Sequence, residues 1–177
     1  MRRAPYLAAM VVVALLTVGN LLLIFSFSSE SREESGARSR AVTEAIARIV
    51  YPGFDDLAEA EQQQAVENLH RLVRKGAHFS EFALLGCLTA ILVKLLRRCL
   101  SLSVGALLTV GTPAVFCLMV AVADETYQIF TNRGASPLDV CIDGSGALCG
   151  VLLVHGAAWL FNRFTRSRNA GKETRSP

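Results

Sequence analysis

The sequence predicts an all-α polytopic membrane protein, a bundle of four transmembrane helices with an extracytoplasmic amphipathic helical segment between spans one and two. Three observations predict it. Of the 177 residues, 52% are hydrophobic and only 19% are charged, with a mean hydropathy of +0.40. The apolar residues collect in four runs, at about 6–27, 79–96, 104–123 and 140–161, each close to the roughly 17 to 25 residues that cross a bilayer. The lysines and arginines collect at the ends of those runs, where they fix orientation.

The first run follows Arg2 and Arg3, as a secretory signal would. It is longer than the roughly 7 to 15 residues of a signal's apolar region, and no small-x-small cleavage site follows it, so an uncleaved anchor is expected. After Phe25, Ser26, Phe27, Ser28 and Ser29 comes a segment outside the membrane, helical over about 39–75. Val42, Ile46, Ile49 and Val50 form one apolar stripe, and Pro52 with Gly53 ends it. Asp56 with Glu59 three residues on resembles a capping box, and Ala65, Leu69, Leu72 and Val73 carry a second stripe. Neither stripe is long enough to span. Two roles fit such helices: a brace packed on the outer surface, or an interfacial pair that guides a lipid-borne ligand.

The second run opens with RKGAHFSEF, residues 74–82. Lys75, His78 and Glu81 recur every three residues and so share a helix face. Mid-way along the third run, Pro113 removes a backbone donor, and Thr109 or Thr112 stands by to satisfy the freed group. That run ends in Asp124, Glu125 and Gln128, which fall within one arc of about 100 degrees on a helix.

Asn132, Arg133 and Gly134 then read as a tight turn, and Ser136 followed by Pro137 as an N-cap with proline at the first helical position. Along the fourth run Asp139, Asp143, Gly146 and Gly150 recur at steps of four, three and four. Glycines spaced by four admit a close helix neighbour, so this stripe is expected to face another helix and not lipid. Asp139, three after Ser136, also fits a capping role. His155 reads as an interhelical histidine and Trp159 as part of an interfacial aromatic belt. The tail, 162–177, is basic and polar and is attracted to anionic headgroups at most. The chain is thus one membrane domain, 1–161, followed by a cytoplasmic tail.

Arg2 and Arg3, then Lys94, Arg97 and Arg98, then Arg163, Arg166, Arg168, Lys172 and Arg175 fall on one side of a four-span protein. The positive-inside rule makes that side the cytoplasm, with both termini there. Arg71, Arg74 and Lys75 break the rule on the opposite face. A local rule broken without obvious compensation often marks a functional site. On that outer face three separate stretches converge, bringing Lys75, His78, Glu81, Asp124, Glu125, Gln128, Arg133, Asp139 and Asp143 together. A carboxylate costs roughly 2.5 to 3.5 kcal/mol at the centre of a span and less near an interface, so such a cluster needs a reason.

Two chemistries and one bland alternative fit these residues. A binding module would use Lys75, His78 and Arg133, with the helix N-termini of spans two and four, to engage an anionic envelope lipid or cell-wall precursor. An enzyme would use Asp124, Glu125 and Asp143 to hold a divalent cation or to act as general acid and base on a polyprenyl-phosphate or related lipid, with His78 as proton shuttle. A purely structural network would pair the charges with one another. No cofactor is identified, and the partners expected are the bilayer and such a lipid, not nucleic acid. Four spans without an inverted repeat argue against a transporter. The five cysteines, Cys87, Cys99, Cys117, Cys141 and Cys149, lie in or beside spans, which argues against a disulfide framework, and no Cys/His spacing points to zinc.

The blocks FSFSS, RKGAHFSEF, ADETYQIF and NRGASPLDVCIDGSGALCG, in that order, resemble those of the VanZ-like family of small bacterial membrane proteins. The family is named for a protein that raises tolerance to the glycopeptide antibiotic teicoplanin. The resemblance implies a bacterial cytoplasmic membrane and an envelope-related role, without implying a particular reaction. Tyr127 stands where members of the family commonly carry His, which favours binding over catalysis if that His is a base.

Overall fold

A backbone in lipid must satisfy its own hydrogen bonds, so apolar runs of this length become helices. The computed structural model describes residues 4–103, 105–131 and 136–173, and among these it contains five α-helices and no strand. They are α1 (Ala4–Ser29), α2 (Arg32–Val50), α3 (Glu59–Leu100), α4 (Ala106–Phe130) and α5 (Pro137–Glu173). Four of them, all but α2, are long and apolar enough to cross a membrane. Leu15, Leu107 and Leu153 are among many large apolar side chains left exposed, an outer surface suited to lipid.

Helix α2 begins at a capping box. Ser31 Oγ accepts the Glu34 N–H at 3.2 Å, while the Ser31 N–H donates to the Glu34 carboxylate at 2.9 Å. These bonds to the ionised form hold the Glu34 carboxyl below its ordinary range. The helix ends at Tyr51, and Gly53 turns the chain with a left-handed φ of 76°, a conformation glycine adopts without steric penalty. A short 3-10 turn, Phe54–Asp56, follows. Phe54 drops into a small core with Ala47, Ala65 and Val66, flanked by Tyr51 and Leu69.

That anchored phenylalanine draws Asp56 into the turn, where its N–H donates to Gly53 O. Helix α3 therefore starts at Glu59, with Glu61 accepting the Ala58 N–H at 3.2 Å, and not with Asp56 as its cap. Helix α2 and the start of α3 thus form a hairpin with its own core, tied further by Ser39 Oγ and His70 Nε2 at 2.8 Å. The second stripe and the second span are one helix. Its 42 residues reach about 63 Å at 1.5 Å per residue, roughly twice the hydrocarbon thickness. Gly76, between the outer segment and the second run, lowers helix propensity by only about 1 kcal/mol, too little to interrupt the helix.

The main core takes Ile24 from α1, Phe82 and Leu85 from α3, Cys117, Val120 and Ala121 from α4, and Ala147 from α5. Pro113 lies buried inside a continuous α4. The five cysteines are free thiols, with Cys117 in the core.

Helices α3 and α5 meet most closely. A Cβ on Gly86 would lie 2.1 Å from Ala147 O, and one on Gly146 would lie 2.3 Å from Phe79 O. Only residues without a Cβ allow this approach. The glycine stripe of the fourth span thus faces a helix, and the consequence falls one turn earlier: Asp143 is carried in against α3.

Candidate functional site

The end of α4 supplies the floor of the cluster. Asp124, Glu125 and Gln128 are all buried. Their three- and four-residue spacing stacks the side chains, so that Gln128 Nε2 donates to Asp124 Oδ2 at 3.0 Å and to Glu125 Oε1 at 3.2 Å. The same amide reaches Ser28 Oγ at 3.5 Å, and Thr131 Oγ1 donates to Ser28 O at 3.2 Å, fastening the end of α1. The second oxygen of Glu125 accepts the Ser136 N–H at 2.8 Å, at the threshold of α5. Glu125 thus ties the end of α4 to the start of α5.

Asp143 enters from α5 and His78 from α3. Their closest polar atoms, Asp143 Oδ1 and His78 Nδ1, are 3.8 Å apart, with Asp143 wholly buried and His78 20% exposed. Neither Asp143 oxygen has a hydrogen-bond partner among the described residues, and neither has Asp124 Oδ1. One ligand atom each from His78, Asp124 and Asp143 lies within 4.8 Å of the other two. Groups bound to one ion at roughly 2.0 to 2.5 Å stand at most about 4 to 5 Å apart, so this trio can close on a cation with small adjustments. Of the three carboxylates expected to hold metal, Asp124 and Asp143 converge with His78, while Glu125 is directed to Gln128 and Ser136.

Those of the remaining expected residues that are described sit around this centre. Lys75 Nζ donates to Asp139 Oδ1 at 3.3 Å, with both side chains about one-third exposed at 34% and 35%. Asp139 thus reaches across to α3. Glu81 and His78 line a small cavity of about 60 Å³ with Phe27, Arg38, Arg74 and Ser35. Arg133 and the turn around it lie outside the described residues. Tyr127 is directed elsewhere: its ring meets Phe25 edge-on at 6.2 Å and is 40% exposed. The absence of His at position 127 therefore says nothing about the chemistry of the cluster.

Sequence reasoning missed Ser28 and Arg38 as neighbours of the site, while Arg74 stood out only as a breach of the positive-inside rule. Ser28 belongs to FSFSS, which reads only as the polar end of a span. Arg38 comes from α2, a segment that meets the site only in three dimensions, and it is held over the Phe27 ring at 4.0 Å, whereas Arg74 lies one turn before His78 on α3.

Chemically, the cluster gathers negative charge at a buried point and leaves part of it unmatched. Burying a carboxylate without a partner is expensive, and a cation or a shared proton is what such a site can take up.

No curated protein and no solved structure matches the chain. The model of the VanZ/LLP1 family matches residues 8–161, most of the chain and every residue of the cluster. The chain belongs to the VanZ/LLP1 family.

Proposed function

We propose that this protein serves the bacterial envelope from the cytoplasmic membrane, with both termini in the cytoplasm. In this reading its acidic site binds the phosphate of an anionic envelope lipid or cell-wall precursor through a divalent cation held by His78, Asp124 and Asp143. The observation that carries the reading is the set of buried oxygens of Asp124 and Asp143, without hydrogen bonds among the described residues, that converge beside His78. One nitrogen and two carboxylate donors suit Zn²⁺ or Mn²⁺ better than Ca²⁺, which takes more oxygens. Three protein ligands leave coordination positions for a phosphate oxygen. Arg38 and Arg74, at the small cavity beside His78, give an anionic headgroup its approach. Tolerance of teicoplanin-type antibiotics follows if the lipid so held is one the antibiotic exploits.

The three-ligand count also favours a second reading, an enzyme acting on the same class of lipid, because catalytic metal sites keep a position open for water or substrate. A purely structural network accounts for Lys75 with Asp139 and for His78 beside Asp143, but leaves both Asp143 oxygens without a hydrogen bond among the described residues.

The test is titration of the purified, chelator-treated protein with Zn²⁺ and Mn²⁺ by calorimetry, then native mass spectrometry with a polyprenyl phosphate. The expected result is one ion per chain, lost in Asp143→Asn, and lipid retention only when the ion is present. Lipid retained equally after chelation, or no ion bound by the folded protein, would overturn the reading.

A further inference from the structure

The opposite end of the bundle holds a second site of opposite charge. A cavity of about 560 Å³ opens between α3, α4 and α5, lined by Lys94, Arg97, Arg98, Thr109, His155 and Asn162 among others. That volume is in the roughly 300 to 1,000 Å³ range of small-ligand pockets. Lys94, Arg97 and Arg98 are spaced by three and four residues on α3, so one helix face presents three cations to the same space. The sequence holds no aspartate or glutamate between Glu81 and Asp124, and none between Asp143 and Glu173. The spanning parts of these three helices therefore supply no carboxylate at this end to balance them.

The cations are held in place. Lys94 Nζ donates to Val154 O at 3.3 Å, which uses one of the three ammonium protons. Arg97 donates to Thr109 Oγ1, and Arg98 rests over the Tyr6 ring at 5.7 Å. These contacts fix the groups in place around the cavity. His155 Nδ1 faces Val151 O at 2.8 Å, and because a carbonyl only accepts, that nitrogen carries hydrogen. Its other ring nitrogen, Nε2, is buried without a partner among the described residues. On the apolar side, Leu102 lines the cavity, and Leu107 and Leu108 stand exposed on the first turn of α4. A polar, cationic hollow beside exposed leucines fits an anion that brings acyl chains with it.

We propose that this cavity binds the phosphate of an anionic phospholipid headgroup, with Lys94, Arg97 and Arg98 as its cationic wall. The site is separate from the acidic cluster and does not depend on the function proposed for it. A phosphate ester selected here is distinguished from a neutral headgroup by charge, and from free phosphate by the leucines beside it.

The test uses the purified full chain in detergent, with phosphatidylglycerol, phosphatidylcholine or inorganic phosphate added, read by native mass spectrometry. Phosphatidylglycerol is expected to be retained over phosphatidylcholine, and inorganic phosphate alone to leave no adduct. Replacing Lys94 and Arg98 together by glutamine should weaken phosphatidylglycerol retention by about thirtyfold, at about one kilocalorie per cation near a membrane surface. Asp143→Asn, at the other end, should leave it unchanged. If the double variant does not fold, a phosphatidylglycerol with a photoreactive acyl chain is crosslinked to the unaltered protein, and attachment is expected at Leu102, Leu107 or Leu108. Equal retention of both lipids, an inorganic phosphate adduct without lipid preference, unchanged retention in the double variant, or attachment elsewhere would overturn the proposal.

Discussion

Gly150 of α5 lies so close to Ala83 of α3 that a Cβ on it would fall 2.0 Å from the Ala83 carbonyl oxygen. Backbone cannot yield as a flexible side chain can, so Gly150→Ala forces the two helices apart. The expected loss is about 1 to 3 kcal/mol, the usual range for overpacking. Gly156→Ala is the control, because nothing lies within 4 Å of a Cβ there, and its effect should be neutral or slightly stabilising. Thermal unfolding of the purified variants in one detergent checks both.

Gln128 donates to both Asp124 Oδ2 and Glu125 Oε1, so Gln128→Leu removes bonds from two buried acceptors at once. An acceptor left unsatisfied in a buried site costs about 1 to 3 kcal/mol. The variant should therefore lose more stability than a loss of side-chain volume would explain, while Gln128→Asn, which shortens the reach, should fall between. Chemical or thermal unfolding at matched detergent concentration gives the comparison. Equal stability of Gln128→Leu and wild type would mean that the amide does not hold the two carboxylates together.

The four spans and the inward glycine stripe were legible because both rest on composition and periodicity, which a sequence displays directly. Asp124, Glu125 and Gln128 could be placed together for the same reason, being neighbours on one helix. What escaped were relations between helices. The exchange of Glu125 for His78 in the metal-capable trio depends on how α3 and α5 approach, and on Ser136 presenting its N–H to Glu125. The start of α3 was misplaced because the burial of Phe54 outweighed the local capping signal at Asp56. Tyr127 looked important through its sequence neighbours, yet a helix turns about 100 degrees per residue, and that turn takes it onto Phe25.

Lys75 and Asp139 form an ion pair that is one-third exposed on each side, and exposed pairs contribute about 0.2 to 1 kcal/mol. A double-mutant cycle with Lys75→Ala and Asp139→Ala should give a coupling in that range. Asp139→Ala should also leave ion binding at the acidic site intact, since its carboxylate is engaged by Lys75 at the rim. Loss of the bound ion in Asp139→Ala would move Asp139 from brace to ligand.

Binding and catalysis at the acidic site separate most clearly through isosteric changes. Asp143→Asn keeps shape but removes a charge from a group whose two buried oxygens have no hydrogen bond among the described residues. In the binding reading the variant loses the ion and releases the lipid, and no product forms in either protein. Glu125→Gln differs, because Glu125 accepts from both Ser136 and Gln128 and an amide has only one accepting oxygen. It should weaken the α4–α5 junction while leaving the ion on His78, Asp124 and Asp143. A general acid or base at either position would instead contribute about 10² to 10⁴ in rate. The measurement pairs teicoplanin tolerance in cells, at matched membrane levels of each variant, with turnover of polyprenyl-phosphate lipids by the purified proteins. Tolerance that follows lipid retention, with no turnover by the wild type, is the expected outcome. Multiple turnovers by the wild type, abolished in Asp143→Asn while the protein stays folded, would establish the enzyme in place of the binding protein.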